Sequence, residues 1–481
     1  MKKIYFVLFI ISFIFNNLNA QSPYPSRNFD ITFEVKGIKN ETAIIGFYYG
    51  NQKLKADEVT FDANGIGKIQ GSKELSDGVY LLVFPSMQYR YFEFIIKETS
   101  FTLKTDTADF STIEVIGSLE NKIFTEDTKK MGKIQEEMNP LRKERDSIYK
   151  TDSLKAVKLN EQLKVLEEKL QAQRASVIKK YPTLFYSKII SIINDPEVPK
   201  TPKKPDGTDD IDFIKAYVRE HYFDNVDFGD SNLIKTPVFY GKVFNYINGY
   251  TDPDPDSLIK SCDLIISKAS KSPLMYQYLC IELLNKYAQS QIMGHDKVYC
   301  HIAEKYYLPK KAWWADDSTL IKIQESVLYM KPTILGQYVP RVTGLDKDNI
   351  REHKLDEIVF KYDYTVLAFW DPDCSHCKHD MPMLRNLWRD TLLPKNIGLV
   401  SVSISTDRNK ILEFVEKTNI DDIEVWYDPT GRAPWRGYYD LRVTPLVLII
   451  DKEAKIIAKR IEIDDIDWYI TNWEKGHKKS D

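Results

Sequence analysis

Residues Tyr364 to Trp370 read YTVLAFW, a short and nearly all-apolar run, which is the pattern of a strand buried on both faces. Asp371-Pro372-Asp373 ends the run, and Cys374-Ser375-His376-Cys377-Lys378 opens a helical pattern that continues through Leu393. This junction constrains the chain most, because two thiols separated by two residues at a helix start are placed to close a disulfide across one turn. The position also makes them unequal. The first sulfur faces solvent beside unpaired N–H groups and the positive end of the helix dipole, which stabilise a thiolate. The second lies one turn in and is partly covered. Cys374 is therefore expected to be the nucleophile and Cys377 the thiol that resolves a mixed disulfide. His376, when protonated, favours the Cys374 thiolate, while Asp371 and Asp373 oppose it.

The chain has 481 residues, more than one compact domain holds, since domains mostly run from roughly 50 to 250 residues. Hydrophobic residues at 43% and charged residues at 28% supply a real core and exclude disorder and collagen-like repeats. Lys+Arg at 67 against Asp+Glu at 70 leaves a charge of -3, so no basic excess exists to hold nucleic acid. Five cysteines are too few for a disulfide scaffold. Cys262, Cys280 and Cys300, at spacings of 18 and 20, match no zinc knuckle. They read as buried free thiols, with a disulfide between two of them as the other option.

Lys2 and Lys3, the apolar stretch Ile4 to Phe15 and Leu18-Asn19-Ala20 read as a signal peptide over residues 1–20, with a mature chain from Gln21. The apolar stretch is too short for a spanning helix, which needs roughly twenty residues. The protein is accordingly expected in the periplasm or cell envelope, soluble after cleavage.

Two textures follow. Over residues 21–118 the pattern is an antiparallel β domain: Phe29 to Val35 alternates with period two, and Thr42 to Tyr49, Gly78 to Phe84, Tyr91 to Ile96 and Thr112 to Ile116 read likewise. Asn64-Gly65 and Asp77-Gly78 are hairpin signals between such runs. Tyr89, Tyr91 and Phe92 read as exposed aromatics that strand packing explains. Over residues 119–332 the texture is all-helical. Leu159, Leu163, Leu166, Leu170 and Val177 form one stripe, which suits either a helical hairpin within one chain or a dimeric coiled coil. Residues 195–209, with four prolines, read as a polar loop. Helical patterns resume at 211–221, 238–247, 258–269 and 275–288 without a catalytic motif.

The dithiol sits in a longer α/β pattern over residues 333–481. Ile397 to Ile404 is a second apolar strand, Thr406 or Asp407 caps a helix to about Thr418, and Ile423 to Tyr427 is a short strand. Val443-Thr444-Pro445 then leads into Leu446 to Asp451 and Lys455 to Ile461, with a turn at Asp451-Lys452-Glu453-Ala454. A proline at the head of an apolar strand is unusual, because it lacks a ladder donor.

This stretch resembles the thioredoxin-like thiol–disulfide oxidoreductases of the exported TlpA-like branch. The resemblance is carried by FWDPDCSHCKHDMP, by Pro382 eight residues after Cys374, by Asp380, and by the lead-in Gly336 to Pro340. It implies a thioredoxin fold in which Pro445 is a cis-proline beside the dithiol and the Thr444 backbone pairs with the substrate chain. It also implies protein thiol or disulfide substrates, a membrane-linked redox partner and no cofactor. The β and helical modules resemble the uncharacterised ones that precede thioredoxin domains in envelope proteins of the Bacteroidetes, and a homodimer through the helical module stays open. Two positions depart from the thioredoxin pattern: Asp373 replaces the tryptophan before the first cysteine, and Ala368 replaces the buried acid six positions earlier. Asp380 and Glu424 are weak substitutes for that acid.

Rival chemistries fit less well. A peroxiredoxin needs threonine where Asp371 stands, and haem attachment needs histidine where Lys378 stands. An exported protein holding copper or zinc through the same dithiol, with His376 or His379, is the alternative function. Trp313-Trp314, Trp435 and Trp468 read as core or partner packing, and His221, His353 and His477 as solvated. On this reading, deleting residues 21–330 spares activity on a generic substrate and removes it on the native one.

Overall fold

The computed structural model describes residues 25–149, 152–348 and 351–477; the leader expected at 1–20 lies outside them. The chain divides into two compact units, Met1–Tyr246 and Ile247–Asp481. The division falls inside the region read as helical, not at either of its edges.

The first unit begins with two four-stranded sheets. The strands are β1 (Arg27–Lys36), β2 (Thr42–Tyr49), β3 (Gln52–Thr60), β4 (Ile66–Lys73), β5 (Gly78–Phe84), β6 (Arg90–Ile96), β7 (Ser100–Asp106) and β8 (Asp109–Ile116). One sheet runs β4-β1-β7-β8 and the other β3-β2-β5-β6. Every pair is antiparallel except β1 with β7. The alternation in β1 explains the layering: Phe29, Ile31, Phe33 and Val35 enter one apolar core with Ile45, Tyr80, Phe84 and Phe94 of the other sheet. Phe92 belongs to that core, against the expectation of exposure, while Tyr89 and Tyr91 stay on the surface.

Neither expected hairpin forms. β3 and β4 lie in different sheets, as do β4 and β5. At Asn64-Gly65 the Asp62 carboxylate accepts the N–H groups of Asn64 and Ile66 at 2.8 and 2.9 Å, which turns the chain tightly. The turned chain then pairs with β1 instead of β3. Turn chemistry dictates the reversal of direction, and packing selects the sheet. Gly65 is required there: its φ is +77°, and a Cβ would stand 2.5 Å from the Val35 carbonyl oxygen.

Among the described residues, five α-helices complete this unit: α1 (Leu119–Ile148), α2 (Ser153–Lys180), α3 (Phe185–Ile193), α4 (Ile211–His221) and α5 (Phe239–Asn245). α1 and α2 form an antiparallel hairpin, with Leu163, Leu166 and Leu170 packed on Met138. The leucine stripe is thus used within the chain. Buried Glu120 accepts the N–H groups of Phe185 and Tyr186, which ties the start of α1 to the start of α3.

The second unit opens with α6 (Pro255–Ala269), α7 (Pro273–Ala288), α8 (His295–Ile302) and α9 (Asp317–Met330). A seven-stranded sheet follows, formed from β9 (Thr343–Asp346), β10 (Glu352–Lys354), β11 (Tyr364–Trp370), β12 (Ile397–Ser403), β13 (Val425–Tyr427), β14 (Leu446–Asp451) and β15 (Ile456–Lys459). Its order is β10-β9-β13-β12-β11-β14-β15, so β11 is interior, parallel to β12 and antiparallel to β14. The helices around it are α10 (Leu355–Val359), α11 (Ser375–Leu387), α12 (Arg408–Thr418) and α13 (Ile466–His477).

The all-apolar β11 is buried on both faces, as its sequence requires. Val366, Ala368 and Trp370 meet Met381 and Leu384 of α11 and Phe414 of α12. Leu367 and Phe369 meet Trp435 and Tyr439 on the other face. The helices α6 to α9 are part of this compact body. Lys459 on β15 is buried and ion-paired with Asp296 of α8, and it reaches Thr333 at 3.3 Å. Met293 packs on one core and Leu335 on the other.

His353 on β10 is a correction. Read as solvated, it is buried, stacked on Trp426 with ring centroids 5.3 Å apart, and its Nδ1 lies 2.8 Å from Glu424. An imidazole presents an apolar face as well as polar nitrogens, and here each finds its partner. The same contact occupies Glu424. His221 is half-buried against Asp224, and the side chain of His477 lies outside the described residues. Trp435 is core, whereas Trp313 and Trp468 are exposed.

Candidate active site

The dithiol is built by one strand end, one helix start and one loop. Trp370 ends β11; its indole N–H donates to Ser401 Oγ at 2.8 Å and its ring stacks on Phe414 at 4.4 Å. With the strand end fixed, Asp371 makes the turn: its carboxylate accepts the Asp373 N–H at 2.9 Å and its carbonyl the Cys374 N–H at 3.1 Å. Cys374 is the N-cap of α11, and its sulfur accepts the Cys377 N–H at 3.5 Å. Cap residues have extended backbone and a side chain turned to the open N–H groups, a role usually filled by Ser, Thr, Asp or Asn. Here a thiol fills it.

The loop brings Thr444. The Thr444-Pro445 peptide is cis, and the Cys374 thiol donates to the Thr444 carbonyl at 3.2 Å. Cys374 is partly exposed, and Cys377 is fully buried in the core beneath it. Both are free thiols.

Their acidities diverge. Burial opposes ionisation of Cys374, but contacts with Thr444, with the N–H and thiol of Cys377 and with the His376 N–H outweigh it, and this thiol is held below its ordinary value. Burial dominates at Cys377 and pushes it up to about 12. Of the two, the outer sulfur is the one biased toward the thiolate.

The groups expected to tune the pair are placed as follows. His376 is exposed and reaches Cys374 through its backbone N–H. The Asp373 carboxylate is ion-paired with Lys410 at 2.6 Å. Asp380 lies 2.9 Å from His379 Nδ1, and Pro382 sits inside α11. Ala368 is fully buried in the core that holds Cys377. Cys262, Cys280 and Cys300 lie on α6, α7 and α8 as buried free thiols, each pushed up to about 12 by burial. Among the described residues, no three His, Cys, Asp or Glu side chains converge on a metal-sized site.

Sequence reasoning missed the residues that hold the loop between β13 and β14. Asp428 is kept well below the usual carboxylate range, at about 2, because hydrogen bonds from Thr430, Ala433 and Arg436 overcome its burial. The Trp435 indole donates to the Thr343 carbonyl at 2.9 Å, and the Tyr439 hydroxyl to the Pro340 carbonyl at 2.6 Å. Asp440 is buried and accepts from two arginines, Arg442 and Arg460. The available signal was the density of Asp, Arg and aromatic residues in a segment too short for its own core.

Comparison with known families agrees with this geometry. Residues 362–456 match a family model described as thioredoxin-like. Residues 29–124 match a domain of unknown function, DUF4369, and residues 158–331 match another, DUF5106. The chain is similar to a domain of a possible thiol-disulfide isomerase from Cytophaga hutchinsonii, at 28% identity over 30% of this chain and 96% of that one, with a TM-score of 0.28. A thioredoxin-like protein from Bacteroides caccae is 16% identical over 58% of this chain and 98% of that one, with a TM-score of 0.46. A thioredoxin domain of a thiol-disulfide oxidoreductase from Bacteroides vulgatus is 21% identical over 29% and 96%, with a TM-score of 0.26. The class that sheet and family match define for residues 362–456 is the thioredoxin-like one, and the dithiol lies within it. The C-terminal part of this protein carries a thioredoxin-like domain, preceded by matches to two domains of unknown function.

Proposed function

We propose that the protein exchanges disulfides with exported protein substrates through the Cys374–Cys377 couple. The observation that carries this is the inequality of the two thiols across one helical turn: a partly exposed sulfur with lowered pKa over a buried one with raised pKa. In the reducing direction the Cys374 thiolate attacks a substrate disulfide, forms a mixed disulfide and releases one substrate thiolate. Cys377 then gives up its proton and attacks the Cys374 sulfur, which releases the second substrate thiol and closes the Cys374–Cys377 disulfide. Two electrons pass to the substrate, and a thiol donor restores the dithiol. The oxidising direction is the reverse.

Thr444 supports the substrate role: its carbonyl lies at the attacking sulfur, where an incoming backbone would align. We assign the leader to residues 1–20, the β module to 21–118, the helical module to 119–332 and the redox domain to 333–481. Location in the periplasm or cell envelope rests on the leader pattern; among the described residues no helix is long and apolar enough to cross a membrane. A membrane-linked redox partner rests on family resemblance. Because α6 to α9 belong to the compact unit beginning at Ile247, a deletion meant to spare generic activity should end at Tyr246 and not at 330.

The test is the reduction potential of the couple in glutathione buffers, with Cys374→Ser as control. A value at or below roughly -230 mV indicates a reductant, and one near roughly -120 to -180 mV an oxidant or isomerase. Failure of the two thiols to pair at any potential would sink the exchange reading and favour soft-metal binding by the dithiol.

A further inference from the structure

We infer that Asp440, with Arg442 and Tyr329, is a positioning cluster that sets the Thr444 carbonyl against Cys374 and thereby makes the helix α9 part of the active-site scaffold. The inference rests on the reading of Cys374 as the attacking thiol.

Asp440 is buried, and its carboxylate is fully engaged. Oδ1 accepts Arg442 Nε at 2.7 Å, and Oδ2 accepts Arg442 Nη2 at 3.0 Å and Arg460 Nη2 at 2.7 Å. The Arg442 backbone N–H is a further donor to it. Two parallel N–H···O bonds fix the orientation of a guanidinium as well as its distance, which a single contact does not.

The two arginines sit at opposite ends of the span that matters. Arg442 lies two residues before Thr444. Arg460 donates its own backbone N–H to the Val447 carbonyl at 2.7 Å, two residues beyond Pro445. One buried carboxylate therefore links both ends of the segment whose middle presents Thr444 at 3.2 Å from the Cys374 sulfur. Val443, between these anchors, is exposed, as a residue facing an incoming chain would be.

Arg442 also touches the helical segment. Its guanidinium carbon lies 5.3 Å from the centre of the Tyr329 ring on α9, a cation–π contact. Behind it, Lys459 and Asp296 join β15 to α8, so the same helical segment braces the sheet edge next to the loop. Asp440 touches neither sulfur and takes no proton in the exchange. Its effect passes through the loop.

The full-length chain tests this with four variants. Arg442→Gln removes the fork at a half-exposed position, Tyr329→Leu removes the ring, and Asp440→Asn removes the charge; Arg442→Lys keeps charge without the fork. Two readouts separate positioning from bulk stability: the pH profile of iodoacetamide alkylation at Cys374, and the division between KM and kcat on a protein disulfide. Arg442→Gln is expected to move the alkylation profile to higher pH, because the shifted loop also withdraws the Thr444 side chain, whose contact helps lower the Cys374 pKa. It should also raise KM about fivefold while kcat changes less than about twofold, with Arg442→Lys between it and wild type. Tyr329→Leu should give the same pattern, smaller. An unchanged profile and KM in folded variants overturns the inference, and so does a lower melting temperature with both unchanged. If Asp440→Asn does not fold, the Arg442 and Tyr329 variants still decide. Alkylation needs no turnover, so a wild-type chain that fails to exchange disulfides refutes the proposed function while leaving this test readable.

Discussion

The helical segment before the sheet and the head of α11 give the same side chain two different fates. Cys262, Cys280 and Cys300 lie inside α6, α7 and α8, where the backbone N–H groups are spent on the helix, and burial pushes each thiol up to about 12. Cys377, one turn into α11, is pushed equally high. Cys374 is also covered in part, yet its thiol is lowered. The Thr444 contact and its seat as N-cap make the difference, the cap because open N–H groups point at a charge forming on the sulfur. Burial silences a cysteine; a helix start wakes it.

Serine substitution breaks this comparison most directly. Cys374→Ser should lower disulfide exchange by on the order of 10³-fold or more, since no other sulfur occupies the cap. Cys377→Ser should instead accumulate the mixed disulfide, visible on non-reducing gels. A combined Cys262→Ser, Cys280→Ser, Cys300→Ser variant should keep its turnover per folded molecule. It should lose about 1 to 3 kcal/mol of stability for each hydroxyl left unpaired in the core, read from urea unfolding. Equal loss of exchange in Cys374→Ser and in the triple variant would remove the distinction.

A second test uses pH. Four thiols have folded pKa values of about 12 against an ordinary value of 9.0. Between those values the folded state holds protons that the unfolded state has released, so stability falls as pH rises. Below pH 9.0 this contribution is fully present. Cys374, with its pKa lowered, has the opposite sign: its contribution is present above its ordinary value and is lost as pH falls through the folded one. The urea midpoint of the reduced protein should therefore drop from about pH 9 upward, and a flat profile to pH 11 would contradict the burial of these thiols.

Alkylation sharpens the contrast within one experiment. In the folded reduced protein, iodoacetamide followed by peptide mass spectrometry should label Cys374 first, with the other four cysteines labelled only after denaturation. The smallest effect belongs to the surface. Lys410→Ala frees the Asp373 carboxylate near Cys374 and should slow alkylation at neutral pH by less than about threefold, with a stability change of about 0 to 1 kcal/mol. A larger change would mean that surface charge, and not the helix cap, governs the sulfur.

Much of this site was legible in the chain because it is local. YTVLAFW is a strand buried on both faces whatever surrounds it, and the CxxC that follows falls at the start of a helix because Asp371-Pro372-Asp373 stops the strand. The alternation of Phe29 to Val35 and the leucine stripe of α2 are equally local, and both face cores. Reading failed where one pattern serves two tertiary outcomes. Asn64-Gly65 turns the chain but does not say which sheet receives it, and the polar strand β3 shows too little alternation to be recognised. His353 looked like a surface histidine because neither Trp426 nor Glu424 adjoins it in sequence.

The sequence by itself determined the strand, turn and helix start that make Cys374 a cap residue, because period, cap and turn act within about ten residues. Tertiary structure alone decided what stands opposite that sulfur. Thr444 reaches Cys374 across 70 positions, and Lys459 reaches Asp296 across 163. Such pairings depend on how strands order themselves in a sheet, and that order is settled by which apolar faces must be buried together. Residue spacing along the chain carries no record of it.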